Sequence, residues 1–309
     1  MKKYRRFFFM MGMYFLIFPH ETQGEEVRHI LSQVDEPEKI ALNASSIIPD
    51  ENGIVYVKEN GLGNGTSWIE ATNDLQSAID AEGVNQVWVA WGEYRPSAYL
   101  EGDSTDDKLK SFIMKDGVSV YGSFEGWETS IWQREITFLT PSSVKESHDY
   151  SILAADTVVP SYHVVIFDTA GFTTQTYLDG FFITGGVADT LSTIPPHNFG
   201  GGVVVSSNGI LKNCYVSGNK AEIGGGVVLL DGGVIDSSKV AENSTTHEGG
   251  GVAIIGNGLV KNSIIEDNSS SDRGGGGYVE GNGGEFINCR VMRNHSKYGG
   301  GLYYRNSPN

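Results

Sequence analysis

The residues with which this chain could do chemistry are a few charged side chains and two thiols. Counted from the last glycine of each glycine run in residues 200–304, offset 16 carries Gly218, Glu242, Asp267 and Arg293, and offset 13 carries Tyr215, Lys239, Ile264 and Arg290. If the repeats stack, Glu242 and Asp267 become adjacent carboxylates with Arg293 one repeat further on. A polysaccharide lyase needs an arginine or lysine base beside carboxylates, and a glycosidase needs two or three acids close together. Glu242, Asp267 and Arg293 come nearest to either set. Scattered surface charge is the plainer explanation, so no catalytic residue is assigned.

A second acidic group, Glu101, Asp103, Asp106 and Asp107, crowds four carboxylates into one loop. Clustered oxygens are what calcium takes, but the glycine-interrupted D-x-D-x-D spacing is missing. A solvated loop is the favoured reading, no cofactor is expected, and calcium stays open at these four residues alone. The seven histidines fall in no metal-binding spacing. Cys214 and Cys289 occupy one column, offset 12, with Ser238 and Ser263 between them. Three stacking steps of ~4.8 Å would hold their Cα atoms roughly 14 Å apart, and a disulfide tolerates at most about 7 Å. They are expected to be small buried thiols that stand in for serine.

The elements that must position these residues are repeats. The glycine runs end at Gly202, Gly226, Gly251, Gly277 and Gly301, giving periods of 24, 25, 26 and 24 residues, and Asn219, Asn243, Asn268 and Asn294 stand 17 residues after the first four. Such periods identify a solenoid whose core exists only through stacking. Apolar character persists at offset 9 (Leu211, Ile235, Val260, Phe286) and offset 14 (Val216, Val240, Ile265, Val291). The apolar runs are short, β-branched and broken by Gly or Asn, which suits strands and not helices. The expectation is an all-β, single-stranded right-handed parallel β-helix with three short strands per coil. Offset 11 (Asn213, Ser237, Asn262, Asn288) should be a bend, and the asparagines at offset 17 a structural amide ladder. Asn243, Asn268 and Asn294 also begin N-x-S/T triplets, which count only in a glycosylating host. Offset 2, read as Val204, Val228, Ala253, Val279 and Tyr303, should point outward, and the aligned apolar residues Val204, Val228, Val279 and Tyr303 are the candidate binding surface.

The formal charge of −16 argues against nucleic acid or an anionic membrane as partner. Lys2 to Arg6, the apolar run Phe7 to Phe18, Pro19 and Gly24 read as a secretory signal over residues 1–24, and the run is too short to span a bilayer. Residues 25–53 read as a linker and 54–309 as the β-helix, irregular to 199 and regular over 200–304. Leu75, Ala78 and Ile79 mark a short capping helix begun by Thr72 or Asn73.

The order Tyr56-Val57, Gly63-Asn64-Gly65-Thr66-Ser67-Trp68, Asp74-Leu75-Gln76-Ser77-Ala78-Ile79, Val87-Trp88-Val89-Ala90, Gly92-Glu93-Tyr94 resembles the opening of right-handed parallel β-helix proteins secreted by Bacteroidetes-type bacteria, in the pectin-lyase-like superfamily. Lys115-Asp116-Gly117-Val118, Phe124-Glu125-Gly126, Leu178-Asp179-Gly180-Phe181 and Ile183-Thr184-Gly185-Gly186 continue it, and the glycine-run repeats are similar to those of chlamydial polymorphic outer membrane proteins. The resemblance implies an exported cell-surface or outer-membrane-associated protein acting as adhesin, spacer or binding surface. Its partners would be a glycan or a host- or cell-surface protein. A carbohydrate-active enzyme of pectin-lyase type and an inactive gene fragment are the alternatives. The fifth repeat stops soon after Gly301, so the open last coil is expected to dock a missing C-terminal region.

Overall fold

The computed structural model describes residues 46–100, 104–136, 150–168, 170–188 and 198–305, all within one unit, Ser45–Asn309. The signal-like segment, residues 25–45 of the expected linker, Glu101 and Asp103 lie outside the described residues.

The architecture is all-β, and its sheets are parallel throughout except for the short pair Ala98–Tyr99 with Lys110–Ser111. There are three sheets, of fourteen, seven and four strands among the described residues. Each regular repeat contributes to all of them. After one glycine run come Val227–Leu230 and Gly233–Asp236 in the large sheet, Lys239–Ala241 in the second, and Ser244–Glu248 in the third. Each strand lies beside its counterpart one repeat earlier and one later, as in Val216↔Val240↔Ile265↔Val291. The repeat therefore lays down four short strands, one more than the three expected. The extra one follows the offset-17 asparagine, where Lys220–Ile223 pairs with Ser244–Glu248; its polar sequence hid it. In the third and fourth repeats the first two strands run on as Val252–Lys261 and Gly277–Ile287, bending at Gly256 and Gly281, where φ is positive.

The core is a file of aliphatic columns. Val203, Val227 and Val252, then Val205, Leu229 and Ile254, then Leu211, Ile235 and Val260, then Val216, Val240 and Ile265 are all fully buried in one cluster. Burying such a side chain contributes about 1.5–3 kcal/mol, and stacking makes every repeat depend on its neighbours for that burial. The bends behave as expected: Asn213, Ser237, Asn262 and Asn288 have φ between 48° and 52°. In the Cys214 column, Ser238 Oγ accepts from Cys214 N (3.1 Å) and Ser263 Oγ from Ser238 N (3.1 Å), and both cysteines are free thiols.

Sterics explain the glycine run. Gly224 has φ +65°, and a Cβ there would stand 2.4 Å from Val228 Cγ2. A Cβ at Gly225 would meet Ser244 O at 2.4 Å and Gly250 O at 2.5 Å, and one at Gly226 would meet Gly251 O at 2.7 Å. Backbones approach too closely there for any side chain.

The fourth repeat corrects the sequence-level register. Val252 pairs with Gly277, so the run proper ends at Gly276 and Gly277 occupies a core position held elsewhere by valine. Phe286 fills the space: its Cζ would lie 2.7 Å from a Cβ on Gly277. A large ring in one column is matched by a missing side chain in the next, and one extra residue between Glu280 and Gly283, opposite Ile255–Asn257, restores the register.

Near the start of the described residues, Leu75–Asp80 forms an α-helix, and Leu75, Ala78 and Ile79 pack into the same core as Val55, Val57 and Val87. Its N-cap is Asp74, whose carboxylate accepts from Ser77 N at 3.0 Å, and not Thr72 or Asn73. Gln76 bonds both ways to the backbone of Ile113 (2.9 and 3.0 Å), tying the helix to a later strand. Residues 46–53, assigned to the linker, are ordered: Ile48 N donates to Asn64 O, and the Asp50 carboxylate accepts from Asn52 N and Ile54 N.

Candidate functional site

Stacking brings Asp267 and Arg293 together as the sequence implied, but in a way that closes them to chemistry. Glu242, Asp267 and Arg293 are themselves corner residues, with φ of 59°, 55° and 55°. Arg293 donates to both Asp267 oxygens (2.8 and 2.7 Å) and to Glu266 Oε2 (2.7 Å). These bonds hold the Asp267 carboxyl below its ordinary pKa and push the guanidinium still higher. A guanidinium fixed in its charged form by two carboxylates is not a base. Lys239 is taken up as well, pairing with Glu266 at 3.0 Å beneath the Tyr215 ring. Glu242 stays exposed and accepts from Ser217 Oγ at 3.4 Å. Arg293, Asp267 and Glu266 form a coil-to-coil charge clamp, and Glu242 stands outside it.

The apolar stripe is real as a column and wrong as a surface. Val204 and Val228 are fully buried, and Val279 is 1% exposed. Val279 moreover belongs to the central core, because the register correction places Tyr278 in this column opposite Ala253 and Tyr303. Val228, Ala253 and Tyr278 form a second small core, covered by Phe199 and Ile223 from the residues just before the glycine runs. Tyr303 is half-buried, stacked on Tyr278 at 6.1 Å, with the Arg273 guanidinium 5.6 Å from its ring. Ile223, the last residue of the fourth strand Lys220–Ile223, is one of the side chains that folds over the stripe.

The asparagine ladder has the expected form. Each Oδ1 accepts from the backbone N–H and the side-chain amide of the asparagine one repeat earlier: Asn219 to Asn243 (3.0 and 3.1 Å), Asn243 to Asn268 (3.0 and 3.1 Å), Asn268 to Asn294 (2.9 and 3.0 Å). Asn243 and Asn268 are 1% exposed, so the folded chain offers neither as a glycan acceptor.

In the acidic loop, Asp106 caps a short 3-10 turn by accepting from Lys108 N (2.9 Å), and Asp107 binds Lys110 Nζ (2.8 Å) and Tyr99 OH (2.8 Å). The Lys110 and Tyr99 hydrogen bonds hold the Asp107 carboxyl below its ordinary range. Both carboxylates are bonded to the loop's own backbone and side chains, while Glu101 and Asp103 of the same acidic group lie outside the described residues. Among the described residues no three His, Cys, Asp or Glu side chains gather as a metal site.

What the sequence did not reveal is a cleft of about 690 Å³ lined by Lys58, Glu59, Leu62, Trp68, Trp91 and Glu125 among others. Its walls are tied together by hydrogen bonds and ring packing. Trp68 donates Nε1–H to Glu128 O at 2.8 Å and packs on Tyr56 and Phe124, with ring centroids 4.9 and 5.3 Å away. The Glu128 carboxylate, itself buried, accepts from the backbone N–H groups of Glu125, Gly126 and Trp127 (2.7, 2.9 and 3.0 Å) and so builds the far wall. On the rim Leu62 is 95% and Ile69 92% exposed. The sequence signals were present in Gly63–Trp68 and Phe124–Gly126, but no local spacing joins segments so far apart.

Trp132 also stands in water, while Trp88 stacks on Phe124 inside the aromatic cluster. No described helix is long and apolar enough to cross a membrane. Comparison with protein-family models, with curated proteins and with solved structures gave no match.

Proposed function

We propose that the chain is a single-stranded right-handed parallel β-helix, of the kind found in pectin-lyase-like secreted bacterial proteins. In this reading it acts at the cell surface, in the outer membrane or outside the cell as an adhesin, spacer or binding surface, without catalysis. Parallel strands joined by crossover connections are right-handed in nearly every case, which supports the hand. The observation that carries the functional reading is where the polar groups go. The asparagines, Asp267, Glu266, Arg293 and Lys239 are bonded from one repeat to the next. Side chains that could have converged on a substrate instead hold the stack together. An acidic, repeat-built body suits display and contact more than turnover.

The test is to produce the full chain in a Gram-negative bacterium, follow its fractionation and surface protease sensitivity, and incubate the purified chain with pectic and alginate polymers. The reading expects an N-terminally processed chain in the envelope or medium and no unsaturated uronate product. Cytosolic retention, or polymer cleavage abolished by Glu242→Ala, would overturn it, the latter in favour of a carbohydrate-active enzyme.

A further inference from the structure

We infer that the outer face of the third sheet docks a sulfated glycan chain, laid along the stacking axis in a groove that spans four repeats. The inference gives the binding-surface reading a partner class, and rests on that reading only for where the glycan is met.

The groove, of about 530 Å³, is built by strand alternation. Lys220, Ser244, Ser269 and His295 stand in one column, each beside its counterpart in the next repeat. Two residues further along the same segments, and therefore on the same face, come Thr246, Ser271 and Lys297. Thr245 and Ser270, between the two rows, are buried, while Lys220, Thr246, Ser269, Ser271, His295 and Lys297 are exposed. Three steps of ~4.8 Å separate Lys220 from His295, so the cations stand at the two ends of a hydroxyl-lined trough roughly 14 Å long.

Charge and donor type together choose the occupant. The chain carries 38 acidic and 22 basic residues, yet this groove gathers two lysines and a histidine and no carboxylate. Of the carboxylates at its edges, Asp267 is held by Arg293 (2.7 Å), Glu222 by Asn198 Nδ2 (2.9 Å) and Glu248 by Arg273 (3.0 Å). Glu242, exposed at the corner two residues before Ser244, is not among the lining residues. A local reversal of sign on an acidic body is complementary to an anion and steers it there.

No apolar or aromatic side chain lines the groove, so it offers little to the side chains of a peptide or to a stacked base. Hydroxyl rows repeating every ~4.8 Å match instead a polyhydroxylated chain that advances by one sugar over a similar length. Planar carboxylates are matched by the arginine fork, whereas lysine meets an anion as a point charge. The groove holds lysine and hydroxyl donors and no arginine, which favours the tetrahedral sulfate ester over the uronate carboxylate.

The experiment uses the purified full chain and three oligosaccharides of equal length, with binding read by calorimetry at low ionic strength. They are a heparin octasaccharide, its N-acetylated and O-desulfated form, which keeps the uronate carboxylates, and neutral maltooctaose. The heparin octasaccharide should bind with Kd in the range of about 10–100 µM and weaken as salt is added. The desulfated form should bind at least about tenfold more weakly, and maltooctaose should show no binding below about 1 mM. Lys220→Gln with Lys297→Gln should weaken heparin binding at least about tenfold, and Ser269→Glu, which puts a carboxylate in mid-groove, should do the same. All three side chains are exposed, so the melting temperature should stay in place. Lys212→Gln with Lys261→Gln removes the same charge from the large sheet and should leave the affinity within about twofold. The proposal is overturned if the heparin octasaccharide fails to bind below about 1 mM, if the desulfated form binds equally well, or if the groove variants bind like wild type. It is overturned too if the Lys212 and Lys261 control loses as much affinity as the Lys220 and Lys297 variant. Because the assay uses isolated protein, its failure leaves the surface-display reading standing, and cytosolic retention would leave groove binding untouched.

Discussion

Replacing Asn243 with alanine should be among the most damaging single changes available to this protein. Asn243 is 1% exposed. Its Nδ2 donates to Val216 O (3.0 Å), Ala241 O (2.9 Å) and Asn268 Oδ1 (3.1 Å), and its Oδ1 accepts from Asn219 N and Nδ2. Alanine leaves the Asn219 backbone N–H facing a void and strips one donor from each of two carbonyls. With about 1–3 kcal/mol for a buried group left unpaired and a further packing loss, the expected destabilisation is roughly 3–5 kcal/mol, against a total near 5–15 kcal/mol for a typical domain. Guanidinium unfolding of the full chain, followed by far-ultraviolet circular dichroism, reads this as a fall in midpoint at unchanged slope. The control is Asn288→Gly. Asn288 sits in an exposed amide pair (2.9 Å to Asn262 Oδ1) with φ 52°, which glycine accepts freely, so the cost should stay within about 0.5 kcal/mol. The reasoning fails if Asn243→Ala loses less than about 1 kcal/mol, or if the two variants are equally damaged. Asn243→Asp adds a pH test. An ionised carboxyl there still accepts from Asn219 but cannot donate to Val216 O or Ala241 O, so its folded pKa rises. The variant should lie closest to wild type below the unfolded value of about 3.9 and lose ground as pH rises through the folded pKa.

Further predictions follow from the same contacts. Burial pushes the Cys214 thiol up to about 12 and raises the half-buried Cys289 as well. In native protein at pH 8 a thiol reagent should therefore modify Cys289 slowly and Cys214 only after unfolding, and Cys214→Ser should cost under about 1 kcal/mol because serine already serves in that column. Gly225→Ala should destabilise by more than about 3 kcal/mol, since the added Cβ meets two backbone oxygens near 2.5 Å; a thermal midpoint like wild type would contradict the close approach. Arg134 and Asp179 form a pair 3.4 Å apart with side chains about 5% exposed, and Arg134 also bonds Gly122 O at 3.0 Å. Arg134→Ala should cost about 3–5 kcal/mol in chemical denaturation. The Arg293–Asp267 clamp is exposed and screened by solvent, so its contribution to stability should be small beside that of the buried Arg134–Asp179 pair. Because the folded Asp267 pKa is depressed, that contribution is present above about pH 4 and disappears as pH falls through the folded value, which an Arg293→Ala comparison across pH 2–6 measures.

The sequence exposed what repeats and hid what does not. Columns such as Leu211–Ile235–Val260 and Val216–Val240–Ile265, the bends at Asn213 and Asn262, and the ladder from Asn219 to Asn294 are legible because stacking demands the same residue type at the same offset. The fourth strand was missed because Lys220–Ile223 and Ser244–Glu248 are held by backbone pairing under polar side chains, so no apolar alternation announces them. That omission carried the error at Val228, against which Ile223 from the missed Lys220–Ile223 strand packs, together with Phe199. Gly277 misled the count because a glycine in a core position looks like one more member of the run until Phe286 is seen filling its place. Glu242, Asp267 and Arg293 were correctly placed on one edge; that Arg293 would chelate Asp267 and Glu266 depends on rotamers that spacing does not encode. The cleft at Trp68 and Trp91 draws on three separated segments and leaves no periodic trace.

The most direct test of the stacked register is a distance between two spin labels. Gln86 and Glu285 occupy the same column, linked rung by rung through Ser119, Tyr177, Ile210, Val234 and Leu259. Six steps of ~4.8 Å give ~29 Å between backbones, and the four steps from Tyr177 to Glu285 give ~19 Å. In a Cys214→Ser, Cys289→Ser background, pulsed electron paramagnetic resonance on labels at Gln86 and Glu285 should give one narrow distribution near the first distance, shortening by about 10 Å when the label moves from Gln86 to Tyr177. A main peak below about 20 Å for the Gln86 pair, or no shortening at Tyr177, would mean that the repeats do not climb one rung at a time.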